Sequence, residues 1–163
     1  MNSLYLICPT DFLELTIDSS FEGNKFFYTS LGNSIDLENR RTIGQIKFLL
    51  RRYEISKITF ILKINNTIIQ DITNYGISTN ITSTQTLFKQ QRQEITKFFQ
   101  PKDDLTLKKL CISTFLLQKT RILCQKLGAN SNDIEISALL YMGDDSTFVK
   151  VFPIVDVSYF GLN

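Results

Sequence analysis

Apolar residues along this chain fall first into short unbroken runs and later into helical spacing. Leu4-Tyr5-Leu6-Ile7-Cys8 is one such run, stopped by Pro9. It has the pattern of a strand buried on both faces, as in a parallel sheet covered by helices. Phe21-Glu22-Gly23-Asn24 reads as a turn, and Lys25-Phe26-Phe27-Tyr28-Thr29 as a second strand rich in aromatic residues. Gly32-Asn33 ends that segment with residues tolerant of a left-handed backbone. From Thr42 the period changes. Ile43, Ile46, Leu49, Leu50 and Tyr53 recur at helical spacing, with Gln45, Lys47, Arg51 and Arg52 between them. Ile58-Thr59-Phe60-Ile61-Leu62 follows as another buried strand. Strand, helix, strand is a crossover unit, and a crossover unit implies parallel pairing.

Ile64 to Thr86 is polar and β-branched and reads as a loop, with a short strand near Ile68-Ile69. Leu87, Phe88, Ile95, Phe98 and Phe99 predict a helix closed by Pro101. A longer helix follows, with Leu107, Leu110, Cys111, Thr114, Leu117, Arg121, Cys124 and Leu127 along one face. Asp103 and Asp104 stand at its positive end, and Gly128 supplies a left-handed cap. Ile134 to Met142 and Thr147 to Phe152 are strands joined by a hairpin turn at Gly143-Asp144-Asp145-Ser146. These elements define an α/β protein: three layers, α-β-α, with a central, mainly parallel sheet whose edge is extended by a C-terminal hairpin. One domain over residues 1–163 is expected at this length.

Composition narrows the chemistry. The chain has no histidine, so it lacks the commonest metal ligand and the one side chain that ordinarily titrates between pH 5 and 8. Serine and cysteine catalysis through imidazole, and zinc sites built on paired histidines, are excluded. The net charge is +2, with its cations scattered, which is no footprint for nucleic acid. Cys8, Cys111 and Cys124 form no Cys-x-x-Cys pair, and their odd number fits a reducing compartment. Cys111 and Cys124 are expected in the core. No apolar run approaches the ~20 residues that cross a bilayer, and no secretory signal opens the chain, so a cytoplasmic location is expected. No Gly-x-Gly-x-x-Gly or Walker loop follows any strand. Asp144-Asp145 and the mixed charges of Asp36, Glu38, Arg40 and Arg41 read as solvated turns.

The order of these pieces resembles the core of the β-class carbonic anhydrases. In that family a buried strand ends in a zinc-binding Cys within Cys-x-Asp-x-Arg. A second strand leads into an Arg-Asn-Ala-Gly-Asn-like loop, a helix follows, and the next strand ends in Gly-His-x-x-Cys with the other two protein ligands. Here Leu4 to Cys8 is similar to the first strand and its Cys. Gly23 to Asn33 is similar to the second strand and loop, Thr42 to Leu50 to the helix, and Glu54 to Leu62 to the third strand. The hairpin at Gly143-Asp144 is similar to the family's closing pair. Together they cover most of the chain.

The departures fall on the chemistry. Cys8 stands at the first ligand, but the ligand His falls on Lys63 and the ligand Cys on Asn66. The family's Asp and Arg fall on Thr10 and Phe12, and Thr29 stands at the loop Arg. Asp11 is one residue out of register, so its side chain points elsewhere unless Pro9 distorts the chain. Deprotonating Lys63 to ligate at pH 7 costs about 4–5 kcal/mol, and an amide oxygen is a poor zinc donor. The resemblance therefore implies a homologue without zinc or other cofactor and without catalysis, acting as a structural or ligand- or protein-binding module. Cys8, Asp11, Lys63 and Asn66 are its relic-site positions, and Lys63 either pairs with Asp11 or Asp18 or lies in solvent. Gly32 and Asn33 form a candidate anion-binding loop, weighed against a plain turn. A homodimer is implied, with Phe26, Phe27 and Tyr28 near the partner; a small anion or another protein is the further partner expected, and neither nucleic acid nor membrane. Two other readings stay open: an active lyase with atypical ligation, and an unrelated α/β nucleotide- or anion-binding protein.

Overall fold

The computed structural model describes residues 1–75, 82–99, 103–128, 134–143 and 146–151. Five strands form one sheet: β1 (Asn2–Ile7), β2 (Asn24–Thr29), β3 (Ile55–Lys63), β4 (Glu135–Tyr141) and β5 (Phe148–Lys150). Their order is β2-β1-β3-β4-β5. The pairings of β1 with β2, β1 with β3 and β3 with β4 are parallel, and β5 closes the edge antiparallel to β4. The mainly parallel sheet and its terminal hairpin match the pattern expected from the apolar runs. Asp144 and Asp145 themselves, and Phe152 at the end of the expected last strand, lie outside the described residues.

Helices lie on both faces: α1 (Glu14–Ser20), α2 (Arg40–Arg52), α3 (Thr67–Tyr75), α4 (Thr82–Phe99) and α5 (Asp104–Leu127). Alternate strand residues divide the core. Leu4, Leu6, Ile58, Phe60, Leu62 and Leu140 face Ile43 and Ile46 of α2 and Phe115 and Leu116 of α5. Tyr5, Ile7, Ile61 and Tyr141 face the opposite way, against Leu13 and against Ile17 of α1. The middle strands are buried on both sides for this reason, and their sequences run apolar without alternation. Phe88 of α4 packs on Phe115, ring centroids 4.6 Å apart. No helix among the described residues is long and apolar enough to cross a membrane.

Local chemistry sets the helix ends. Asn39 accepts the Arg41 amide at 2.8 Å, and Asp103 accepts the Thr106 amide at 2.7 Å and its hydroxyl at 2.9 Å. Each satisfies an amide that the first helical turn leaves unpaired. Gly128 ends α5 with φ +79° and ψ −179°, a region open only to glycine and different from the left-handed cap expected.

Three expectations are corrected. The stretch read as a loop with a strand near Ile68-Ile69 is helical over α3, and Thr82 to Thr86 belong to α4. Asn66 caps α3 through its side chain and Ile69 is buried beneath it, which outweighs the weak helix propensity of Thr and Asn. The α1 segment, to which the periodicity assigned nothing, is helical because Leu13 and Ile17 need the sheet to cover them. On α5 the buried residues are Cys111, Ile112, Phe115, Leu116, Leu123 and Leu127, while Arg121 and Cys124 are exposed. This helix is apolar on several sides, so spacing alone permits more than one stripe, and the sheet and α4 select among them. Cys124 is therefore not a core residue.

Phe115→Ala empties the contact between sheet, α4 and α5 and should cost about 3–5 kcal/mol in urea unfolding. Leu15→Ala on the outer side of α1, 84% exposed, should stay within about 0.5 kcal/mol of the wild type.

Candidate functional site

The C-terminal ends of β1 and β3 lie side by side, with Ile7 opposite Ile61. Cys8 leaves the first and Lys63 ends the second, so the sheet brings these two positions to the same end of neighbouring strands. Pro9–Asp11 then form one tight 3-10 turn, with Pro9 at its first position and the Asp11 amide bonded to the Cys8 carbonyl at 3.1 Å. Phe12 follows with φ +53°. This turn is the distortion that Pro9 made conceivable. It folds Asp11 inward until the residue is 5% exposed.

Both Asp11 oxygens are engaged. Oδ2 accepts the backbone amide of Lys63 at 2.9 Å, and Oδ1 accepts Nδ2 of Asn66 at 2.7 Å. Burial pushes the Asp11 carboxyl above its ordinary range; these two hydrogen bonds and the Lys63 ammonium pull it back in part. Lys63 thus meets Asp11 through its amide and at longer range through its charge, and its stem runs toward Gly143. Asp18, the alternative partner, pairs with Lys25 at 3.2 Å.

Asn66 is likewise fully committed. Its Nδ2 holds Asp11, its Oδ1 accepts the Ile69 amide at 2.9 Å, and its carbonyl accepts the Gln70 amide at 3.0 Å. Cys8 is completely buried, with Sγ 3.0 Å from Thr10 Oγ1 and accepting the Gly32 amide at 3.1 Å. That contact explains the glycine: at φ +57° an added Cβ would also stand 3.0 Å from Ile68 Cγ2.

The Gly32-Asn33 loop does work that the sequence did not disclose. Asn33 is fully buried, and its Nδ2 donates to the carbonyls of Leu6 at 2.8 Å and Ile61 at 3.1 Å, bridging β1 and β3. Its Oδ1 has no partner among the described residues. The amides of Gly32, Asn33 and Ser34 go to Cys8 Sγ, Ser30 O and Leu31 O. An anion in this loop would have to displace one of them. The only advance sign of Asn33's role was its type, since asparagine tolerates a left-handed backbone, here φ +55°.

The donor set does not fit a zinc ion. One thiol is present, already accepting the Gly32 amide, the second position carries an ammonium, and the third offers an amide oxygen already spent on capping α3. Both oxygens of the one nearby carboxylate are taken. Among the described residues, no three Cys, Asp or Glu side chains gather closely enough to hold a metal.

A parallel α/β sheet with its polar cluster at the strand ends defines the class, and comparison with known structures makes it specific. A point mutant of the β-carbonic anhydrase CafD of the fungus Aspergillus fumigatus matches with TM-score 0.74 and 14% identity over 93% of this chain and 90% of that one. The Coccomyxa β-carbonic anhydrase in complex with acetazolamide matches with TM-score 0.69 and 11% identity over 91% and 71%. A tetrameric β-carbonic anhydrase from Sordaria macrospora matches with TM-score 0.68 and 11% identity over 91% and 79%. No family model matches the chain, and no curated protein matches it in sequence. The protein has the β-carbonic anhydrase fold, as the order of its elements implied.

Asn66→Ala removes the cap of α3 and one partner of a buried carboxylate, and should cost about 2–3 kcal/mol by urea unfolding. A pH series on Asp11→Asn isolates the carboxyl. Because its folded pKa is raised, the folded state holds the proton longer, so wild-type stability relative to the variant should fall as pH rises from 3.8 through the folded pKa and level off above it. A rise over that window contradicts the assignment.

Proposed function

We propose that this chain is a non-catalytic homologue of the β-class carbonic anhydrases, a single domain over residues 1–163, acting as a structural or ligand- or protein-binding module. The observation that carries the reading is the fate of the third ligand position: Asn66 spends one side-chain atom on the Ile69 amide and the other on Asp11. A zinc ion there would have to break the cap of α3, displace a lysine proton and accept a neutral oxygen donor. That forfeits most of the ~10–16 kcal/mol typical of structural zinc. Without the ion, no water is brought to a pKa near 7, and the hydroxide that attacks carbon dioxide does not form.

The homodimer belongs to the same proposal. Among the described residues, β2 is an edge strand whose outer backbone groups have no strand beside them. Phe27, Leu31, Phe48 and Tyr53 around it are exposed by 38%, 46%, 64% and 40%, an apolar surface that a second copy would cover. Free rather than bridged thiols at Cys8, Cys111 and Cys124 support a cytoplasmic setting. The same proposal puts a small anion or protein partner at the relic-site end of the sheet, beside Cys8 and Lys63, because the amides of the Gly32-Asn33 loop are already engaged.

Elemental analysis of the chain purified without chelator, paired with stopped-flow hydration of carbon dioxide, tests this reading. The expected result is no stoichiometric zinc and a rate equal to buffer. Stoichiometric zinc together with hydration would establish the lyase with atypical ligation instead.

A further inference from the structure

A second concavity lies where α3, α4 and α5 meet, beside the end of β3. Its walls are Ile64, Ile69, Phe88, Leu107, Cys111 and Ile112, all buried except the half-buried Leu107. The cleft holds about 430 Å³ free of protein atoms, part of it open to solvent. Apolar walls hold water poorly, so a short alkyl group suits this space.

The mouth is cationic. Arg92 and Lys108 line it with one acid, Asp104, which Lys108 pairs with at 2.8 Å one helical turn away. Arg92 therefore remains as the net charge, with no ion-pair partner among the described residues. It lies close enough to Cys111 for its charge to bear on that thiol, against the burial that pushes the thiol up. Of the three charged residues that line the cleft, Arg92 and Lys108 outnumber Asp104, so the field at the mouth favours an anion. An apolar cleft with one convergent charged group has the anatomy of a small-molecule site.

From this geometry we infer that the cleft between α3, α4 and α5 binds a short-chain monocarboxylate, its alkyl group against Phe88 and Ile112 and its carboxylate on the Arg92 guanidinium. The cleft borders the end of β3 through Ile64 and the Asn66 cap through Ile69, but its charged group, Arg92, belongs to neither, and the assignment does not depend on the metal centre being vacated.

Titration of the full chain with butyrate and with butanol, followed by amide NMR shifts, tests this. Butyrate should saturate shifts at Ile69, Cys111 and Ile112 and bind about tenfold tighter than butanol, the usual scale of a charge-assisted hydrogen bond. Arg92→Gln should erase that difference while leaving butanol binding unchanged. Cys111→Leu, which fills the floor, should abolish both, and a second filling variant, Ile112→Phe, should do the same if Cys111→Leu fails to fold. Equal affinity for butyrate and butanol, unchanged butyrate binding by Arg92→Gln, or shifts that never saturate would each overturn the assignment.

Discussion

A buried carboxylate has to be answered by donors wherever the chain can supply them, and Asp11 is that constraint here. Left unpaired, such a group costs several kcal/mol or neutralises itself. The chain answers with the Lys63 amide, at the end of β3, and the Asn66 side chain, at the start of α3. One side chain thereby joins the exit of β1, the exit of β3 and the entry of α3. Asn33 repeats the device a few residues away, holding the Leu6 and Ile61 carbonyls of the same two strands. The strand ends are cross-linked by hydrogen bonds alone.

That solution decides what the site can do. Each atom used to tie the strand ends is withdrawn from ligation: Asp11 Oδ1 and Oδ2, Asn66 Oδ1 and Nδ2, and the Gly32 amide on Cys8 Sγ. The fold of the β-carbonic anhydrases persists at 14% identity in one of its matches, because a parallel sheet needs only apolar strands and covering helices. Nothing in that requirement preserves a donor set.

The loop before α2 is held by a comparable long-range arrangement. Lys119 of α5 donates to the Ile35 carbonyl at 2.8 Å, and Lys126 reaches Glu38. Burial pulls the Lys119 ammonium below its usual range, with Asp36 opposing. Glu38, solvated by the sequence pattern, thus also fastens its loop to a helix residue 88 positions away.

The sequence by itself determined the strands, the amphipathic α2, the crossover and, through the missing histidine, that no imidazole can serve as a ligand. Each follows from local period or residue type, which need no partner. It also placed Cys8 and Lys63 at the ends of neighbouring strands. Tertiary structure alone decided where Asp11 points, that Asn66 caps a helix where a loop was expected, that Asn33 bridges two carbonyls, and which stripe of α5 is buried. The reason is distance along the chain. Asp11 finds its partners 52 and 55 residues away, and no local spacing records which donors a folded sheet will bring to a buried acid.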